Sequence, residues 1–164
     1  MSTRGATSID KLHRLIQPGL IGKKCWKVIF NCGDLSLHMG ARLPYDNPKM
    51  AGERKGEWIL GTCGTRWVLI TPTQTLRSGD NDEVTAERKA KAIENSRIVG
   101  FGVSVPDNVL LLDFSNNCRL LVIPTAADAK YDLPYWELFM PDDKFIAFGP
   151  GAVWSCRRSD VPAT

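Results

Sequence analysis

The sequence predicts a mainly β protein of the α+β class: a twisted antiparallel sheet or open barrel of about eight to ten strands, with two short helices packed against it. Short segments of alternating apolar and polar residues recur along the chain, separated by turns rich in Gly, Pro, Asn and Asp. Only two segments space their apolar residues as a helix does. The 164 residues fit one domain, spanning 1–164, with a single core.

The two helices are expected over residues 8–16 and 83–95. In the first, Ile9, Leu12 and Ile16 recur at helical spacing, and Pro18 follows. In the second, the apolar stripe is narrow, which favours a helix that lies against the sheet.

Strands are expected in both halves of the chain. Segments 25–31 and 35–39 alternate around a tight turn and predict a hairpin. Segments 57–62 and 65–71 predict a second hairpin. The second half predicts five strands at the following segments: 98–105, 109–114, 118–123, 135–140 and 144–148. A final strand near Trp154 completes the set.

Three further expectations concern particular segments. Residues 40–56 combine prolines, glycines and basic side chains, which predicts a flexible loop. Segments 109–114 and 118–123 are apolar on both faces, which predicts that a helix covers one face and the sheet interior the other. The tail, 158–164, is expected to be unstructured.

The chain also suggests two similar halves. Gly64-x-x-Trp67 is echoed by Gly151-x-x-Trp154, and each helix precedes a set of strands. The pattern predicts pseudo-repeats over 8–71 and 83–156. A chance coincidence within an all-β chain is the alternative.

Charge and cysteine content point to a cytoplasmic protein. The formal net charge is +3, with the basic excess in the first sixty residues, and such a gradient can steer a charged partner. No apolar run is long enough for a membrane span, and the N-terminus lacks the apolar segment of a secretory signal. The five cysteines are therefore expected to be reduced thiols.

No catalytic set, metal site or cofactor motif is predicted, although enzymatic activity is left open. The grouping of Cys25, Cys32 and His38 matches no zinc spacing. No nucleophile motif accompanies His13 or His38. The glycine-rich segments lack the helix or lysine of a phosphate loop.

Two sets of residues are candidates for binding. The basic segment 40–56 predicts a partner-binding surface, whose members would be Arg42, Tyr45, Lys49, Arg54 and Lys55. Three ionisable side chains could instead line a pocket: His38, on the polar face of a strand, and Asp113 and Glu137, each within an apolar strand. Strand alternation favours an outward direction for the two carboxylates.

The C-terminal third resembles a known set of proteins. The segment Tyr135-Trp136-Glu137-Leu138 is followed by Pro141-Asp142-Asp143 and then by Gly149-Pro150-Gly151. This pattern, over residues 98–156, is similar to that of small bacterial β-rich proteins of uncharacterised function. Some of these are thought to be immunity partners of secreted toxins, and others are orphan genes on mobile elements. The resemblance implies a binding protein.

The sequence thus predicts a non-enzymatic binding protein, and an immunity-type inhibitor of a toxin-like partner protein is the specific form that the resemblance implies. The alternatives are a small-molecule-binding barrel or minor enzyme, a single-stranded nucleic-acid binder, and a mobile-element orphan protein. Nucleic acid is the less favoured partner, and no membrane association is expected. An exposed sheet edge would favour a homodimer.

Overall fold

The computed structural model describes residues 4–80 and 82–159, with side chains from Ser8 onward. These residues form two α-helices and an open sheet of eleven strands, in which every neighbouring pair is antiparallel. The predicted class, α+β and mainly β, is confirmed. The elements are α1 (Arg4–Leu20), β1 (Lys24–Asn31), β2 (Asp34–Pro44), β3 (Arg54–Thr62), β4 (Trp67–Ile70), β5 (Thr75–Arg77), α2 (Glu83–Ala90), β6 (Ser96–Ser104), β7 (Val109–Phe114), β8 (Arg119–Val122), β9 (Trp136–Met140), β10 (Lys144–Gly149) and β11 (Val153–Arg158).

The end of the predicted unstructured tail, 160–164, lies outside the described residues. The start of that tail does not match the prediction, because Arg158 is the last residue of β11 and pairs with Lys144.

The strand order is β11-β10-β9-β3-β2-β1-β6-β7-β8-β4-β5. If each of β1–β5 is exchanged with its counterpart in β6–β10, the ten strands follow the same order read from the opposite edge of the sheet, and only β11 lacks a counterpart. Repeats over 8–71 and 83–156 remain a prediction. The echo that suggested them does not follow this correspondence, since Trp67 lies on β4 and Trp154 on β11.

The predicted hairpin of 57–62 with 65–71 is wrong. β3 pairs with β2 and β9, whereas β4 pairs with β8 and β5. The segment between them carries the chain from one half of the sheet to the other, and the Cys63 N–H donates to the Tyr135 carbonyl on the way (3.2 Å). Side-chain alternation is the same in a hairpin and in a crossover, so the pattern alone could not distinguish them.

The two halves meet at a short seam. β1 and β6 pair only at their first residues, Lys24 with Arg97 and Cys25 with Ser96. Beyond this point the facing edges of both strands need other hydrogen-bond partners, because buried backbone groups are costly to leave unpaired.

The helices supply those partners. From α1, Gln17 donates to the Phe101 carbonyl (2.8 Å) and His13 Nε2 accepts from the Val103 N–H (2.9 Å), both on β6. On the other side, Glu94, just beyond α2, accepts from the Val28 N–H of β1 (3.0 Å). Each helix therefore caps the first strand of the opposite half.

One face of the sheet, the inner face, forms the core with the apolar sides of both helices. The prediction that β7 and β8 are covered on both faces is wrong. Burial alternates along both strands: Leu110 and Leu112 are fully buried, whereas Leu111 and Leu121 on the opposite face are only half-buried. Both helices are used at the seam and on the inner face, so neither is available to cover this outer side.

The prediction of a loop over 40–56 is corrected in its extent. β2 continues to Pro44 and β3 begins at Arg54, and the two strands pair as far as their tips. Only residues 45–53 connect them, including a 3-10 turn capped by Asn47. We call residues 40–56 the arm.

Candidate binding face

The outer face of the first half of the sheet carries the candidate site. Strand pairing aligns its side chains in two rows across β1, β2, β3, β9, β10 and β11. The first row is Lys27, His38, Ile59, Phe139, Phe145 and Arg157, and the second is Ile29, Ser36, Gly61, Glu137, Ala147 and Ser155. We call this surface the binding face, and we include in it the adjoining Trp26 ring and the Arg42 and Lys55 side chains of the arm.

His38 joins the arm to the binding face. It is 3% exposed, and its Nδ1 accepts a hydrogen bond from the Gly56 N–H at 3.0 Å. Because a backbone amide donates to Nδ1, the imidazole proton is on Nε2. Burial and the nearby Lys27 ammonium lower the pKa of His38 to about 4. This histidine is neutral near pH 7, and its hydrogen bond holds the base of the arm.

The base of the arm requires glycine at position 56. A Cβ there would lie 2.5 Å from the Met39 amide nitrogen and 2.7 Å from the Trp58 carbonyl oxygen. Backbone atoms cannot move aside as a flexible side chain can. The close approach also brings the Gly56 N–H within reach of His38.

Glu137 lies on the same face, between two small residues of the neighbouring strands, Gly61 and Ala147. Burial raises the pKa of this carboxyl group, and the Arg157 guanidinium partly offsets the effect. The partial burial and the small neighbours leave a polar acceptor recessed in an otherwise apolar and basic surface.

Asp113 is on a different part of the sheet. Both of its carboxylate oxygens accept hydrogen bonds from Arg119, at 2.6 and 3.1 Å, on the outer face of β7 and β8. Of the three residues proposed for a pocket, the structure thus places His38 and Glu137 on the binding face and Asp113 in the second half of the sheet.

Three cations of the binding face each lie over an aromatic ring. Arg42 Cζ is 4.5 Å from the centroid of the Trp26 ring. The Lys55 ammonium is 5.7 Å from the Tyr45 ring. A third pair sits at the far edge, with Arg157 Cζ 5.1 Å from the Phe145 ring. Such contacts restrain long basic side chains while their charge still faces solvent.

The five predicted partner-binding residues all lie on the arm. Arg42, Tyr45 and Lys55 contribute to the ring contacts on the binding face, whereas Lys49 and Arg54 are exposed near the tip. A shallow groove of about 520 Å³ separates the arm from the sheet, with Tyr45 on one side of it.

The sequence pattern missed several members of this face. Trp26 was grouped with the core because it alternates with Val28, but a β-bulge between Cys25 and Lys27 turns its ring outward, against His38 (5.8 Å between ring centroids). Phe139 was missed as well: it is 40% exposed. Its ring centroid is 4.9 Å from that of Phe145. The alternation along β9 and β10 was the available signal.

The cysteines of the described residues are free thiols. Burial, with the charges of Glu137 and Asp34, raises the pKa of Cys63 to about 12, and burial does the same for Cys25. Within residues 4–80 and 82–159, no cluster of three or more His, Cys, Asp or Glu side chains is arranged to hold a metal ion. No helix in this part of the chain has the length and apolar character needed to cross a bilayer.

No protein-family model matches this chain, and it has no match among curated proteins or solved structures.

Proposed function

We propose that this is a non-enzymatic binding protein that captures an acidic partner protein through the binding face and the arm. The observation that supports the proposal is the row of basic side chains held over aromatic rings on one open sheet face, beside the exposed Phe139. Arginine and aromatic residues are enriched at the centres of protein interfaces. An immunity-type inhibitor of a toxin-like protein is the specific form that the resemblance favours.

The acidic character of the partner follows from the charges. Arg42, Lys55 and Arg157 project from the face, and Lys49 and Arg54 extend the positive charge along the arm. An acidic surface would be attracted to these groups, which favours rapid and specific association.

The same contacts disfavour the nucleic-acid alternative. Single-stranded nucleic acids bind by stacking their bases on exposed aromatic faces. Here the rings of Trp26, Tyr45 and Phe145 are each covered by a cation of the protein itself. Among the described residues, no cation lies over Phe139, and one ring is a poor platform for successive bases.

The small-molecule alternative is also disfavoured. The groove beside Tyr45 is open and shallow, and the Nδ1 acceptor of His38 is already used by Gly56. Because Asp113 and Glu137 lie in different halves of the sheet, their carboxylates do not converge on one cavity.

The test is a photo-crosslinking experiment in the cells from which the chain comes. In one experiment a benzophenone amino acid replaces Phe139. In the control experiment it replaces Val99, a residue of the second half of the sheet that is 55% exposed. The proposal expects one acidic protein to be linked from position 139 and not from position 99. Linkage from both positions, or of nucleic acid only, would contradict it.

Direct binding then tests the charges. The double variant Arg42→Ala/Lys55→Ala is compared with Arg77→Ala/Arg88→Ala, which removes the same charge from exposed sites elsewhere. We expect calorimetry with the purified partner to show at least tenfold weaker binding for the first variant and unchanged binding for the second. Extending the first variant with Lys49→Ala and Arg54→Ala should weaken binding further. Equal affinities for all variants would remove this surface from consideration.

We also propose, from the sequence, that the protein is cytoplasmic and forms a homodimer. Fractionation of the cells tests the location, and the mass of the protein in solution tests the homodimer.

A further inference from the structure

The strand β11 leaves one edge of the sheet open. It has six residues, and within the described part of the chain it pairs only with β10. The Ser159 N–H donates to the Asp143 carbonyl (2.6 Å). By the alternation of antiparallel pairing, Val153 and Ser155 also bond toward β10, whereas Trp154 and Cys156 direct their backbone N–H and C=O groups away from the sheet.

The opposite edge of the sheet differs. It is formed by β5, which has three residues. Natural sheets commonly protect an edge by making it this short, and a longer edge strand is open to pairing with another chain. Of the two edges, β11 is therefore the one that can accept a further strand.

Exposed apolar side chains lie beside the start of β11. Val153 is 70% exposed, Tyr131 65% and Leu133 58%. All three line one groove of about 570 Å³ at this end of the sheet. Clustered exposed apolar side chains mark contact surfaces more often than scattered ones do.

We infer that a second copy of this chain pairs with β11, antiparallel, about a two-fold axis that passes between the two Ser155 residues. In this arrangement Trp154 of one copy faces Cys156 of the other, and the same pair recurs by symmetry. Each of the two pairs exchanges two hydrogen bonds, so the outward backbone groups of both residues gain partners. The two sheets become one continuous sheet.

The side chains of β11 fit this register. Val153, apolar and exposed, faces Arg157 of the other copy, whose guanidinium lies over the Phe145 ring. The two arginines at position 157 are therefore kept apart. An axis through Arg157 would place these like charges directly opposite each other, which is destabilising. At the axis, the small Ser155 side chain lets the strands approach.

The strand is thus self-complementary. Its first residues are apolar and its last two are basic, with Arg157 over the Phe145 ring. Antiparallel pairing brings the first part of one copy against the last part of the other, twice. This pairing shares Ser155 and Arg157 of β11 with the edge of the binding face, but it needs neither the arm nor Phe139. Its tests can therefore fail while the partner-binding proposal stands, and the reverse.

The first test measures mass in solution by light scattering over a wide concentration range. We expect twice the chain mass of 18.2 kDa for the wild type. Cys156→Pro should shift the mass to that of the monomer, because proline lacks the backbone N–H that at residue 156 points away from β10 toward the second copy. Cys156→Ser keeps the N–H and should remain a dimer. Circular dichroism and thermal melting establish that both variants are folded.

The second test reads the register. In a Cys32→Ser/Cys156→Ser background, Ser155→Cys should give a disulfide-linked dimer on oxidation, because residues facing across the axis are close. Val153→Cys is the control: the two copies of this residue would be offset by about 14 Å along the strands at 3.4 Å per residue, well beyond the Cα separation of about 7 Å that a disulfide spans.

Four results would overturn the inference. One is a monomeric wild type at every concentration, and another is a folded Cys156→Pro variant that stays dimeric. The third is cross-linking of Val153→Cys without cross-linking of Ser155→Cys. The fourth is a wild-type dimer that forms a disulfide between the two Cys156 residues, while Ser155→Cys forms none. That result would place the two-fold axis at residue 156 instead of residue 155.

Discussion

The buried His38 should make the protein acid-sensitive, and the size of the effect follows from its surroundings. The folded state holds the pKa of His38 at about 4, against 6.5 for an unperturbed histidine, because of burial and the Lys27 ammonium. The unfolded chain therefore takes up a proton at this position below pH 6.5, whereas the folded protein does so only near pH 4. The stabilisation is complete above pH 6.5 and is lost as the pH falls toward 4.

The difference between these pKa values corresponds to about 3–4 kcal/mol at roughly 1.4 kcal/mol per pKa unit, and about 3 kcal/mol of it is lost by pH 4, where half of the folded molecules carry the proton. Other groups titrate in the same range, so a matched variant is required. His38→Asn places its Oδ1 where the Nδ1 of histidine accepts from the Gly56 N–H, and it does not titrate.

The assay is urea unfolding of wild type and His38→Asn at pH 7, 5.5 and 4. We expect the wild type to lose about 3 kcal/mol more than the variant between pH 7 and 4. His38→Leu is a second comparison, since it leaves the buried Gly56 N–H without an acceptor and should cost about 1–3 kcal/mol at pH 7. Parallel pH profiles for wild type and His38→Asn would refute the reasoning.

Three further predictions follow from the seam, the thiols and the core. Glu94→Ala should lower the free energy of unfolding by about 1–3 kcal/mol, because it leaves the Val28 N–H without a hydrogen-bond acceptor. Glu94→Gln retains Oε1 and should cost less. Urea unfolding of both variants measures the two free energies. In the native protein at pH 8, the exposed Cys32 should be alkylated well before Cys63, because burial raises the pKa of Cys63 to about 12. Peptide mass spectrometry gives the order of labelling, and faster labelling of Cys63 would contradict the prediction. Leu12→Ala in α1, at a fully buried site, should cost about 2–5 kcal/mol in thermal or chemical unfolding.

The local elements were predictable because their signals are local. The turn between β1 and β2 places Cys32 and Gly33 at positive φ, 51° and 88°, as a tight hairpin requires. The start of α2 is capped by Asp82, which accepts from the Thr85 N–H at 2.8 Å. Each feature depends on residues within a few positions of one another, so the sequence carries the necessary information.

The arrangement of strands was not predictable in the same way. Whether β3 pairs with β4 or with β9 depends on which apolar edges complete a common core, and residues far apart in the chain decide this. The prolines and glycines of the arm were taken as loop signals. There Gly40, at φ +78° next to the bulge that follows Met39, serves a paired strand instead.

The candidate site was predictable only in part. Its basic residues stand out in the composition of 40–56, and they do lie on one arm. The ring under Arg42 could not be foreseen, because Trp26 reaches the outer face through a bulge. Nor could the placement of Arg157 and Phe145 on the same face as the arm, because the pairing of β3 with the distant β9 brings them there.

The exchange of strands between the halves has a consequence for how the protein is made. A chain that has left the ribosome only as far as β8 contains β3, but not β9, the strand that completes its hydrogen bonding. The first half therefore stays unfinished until β9 has also been synthesised. The two halves are interlocked, and cutting the gene at their boundary would give two fragments that each lack strands, with neither able to mature without the other.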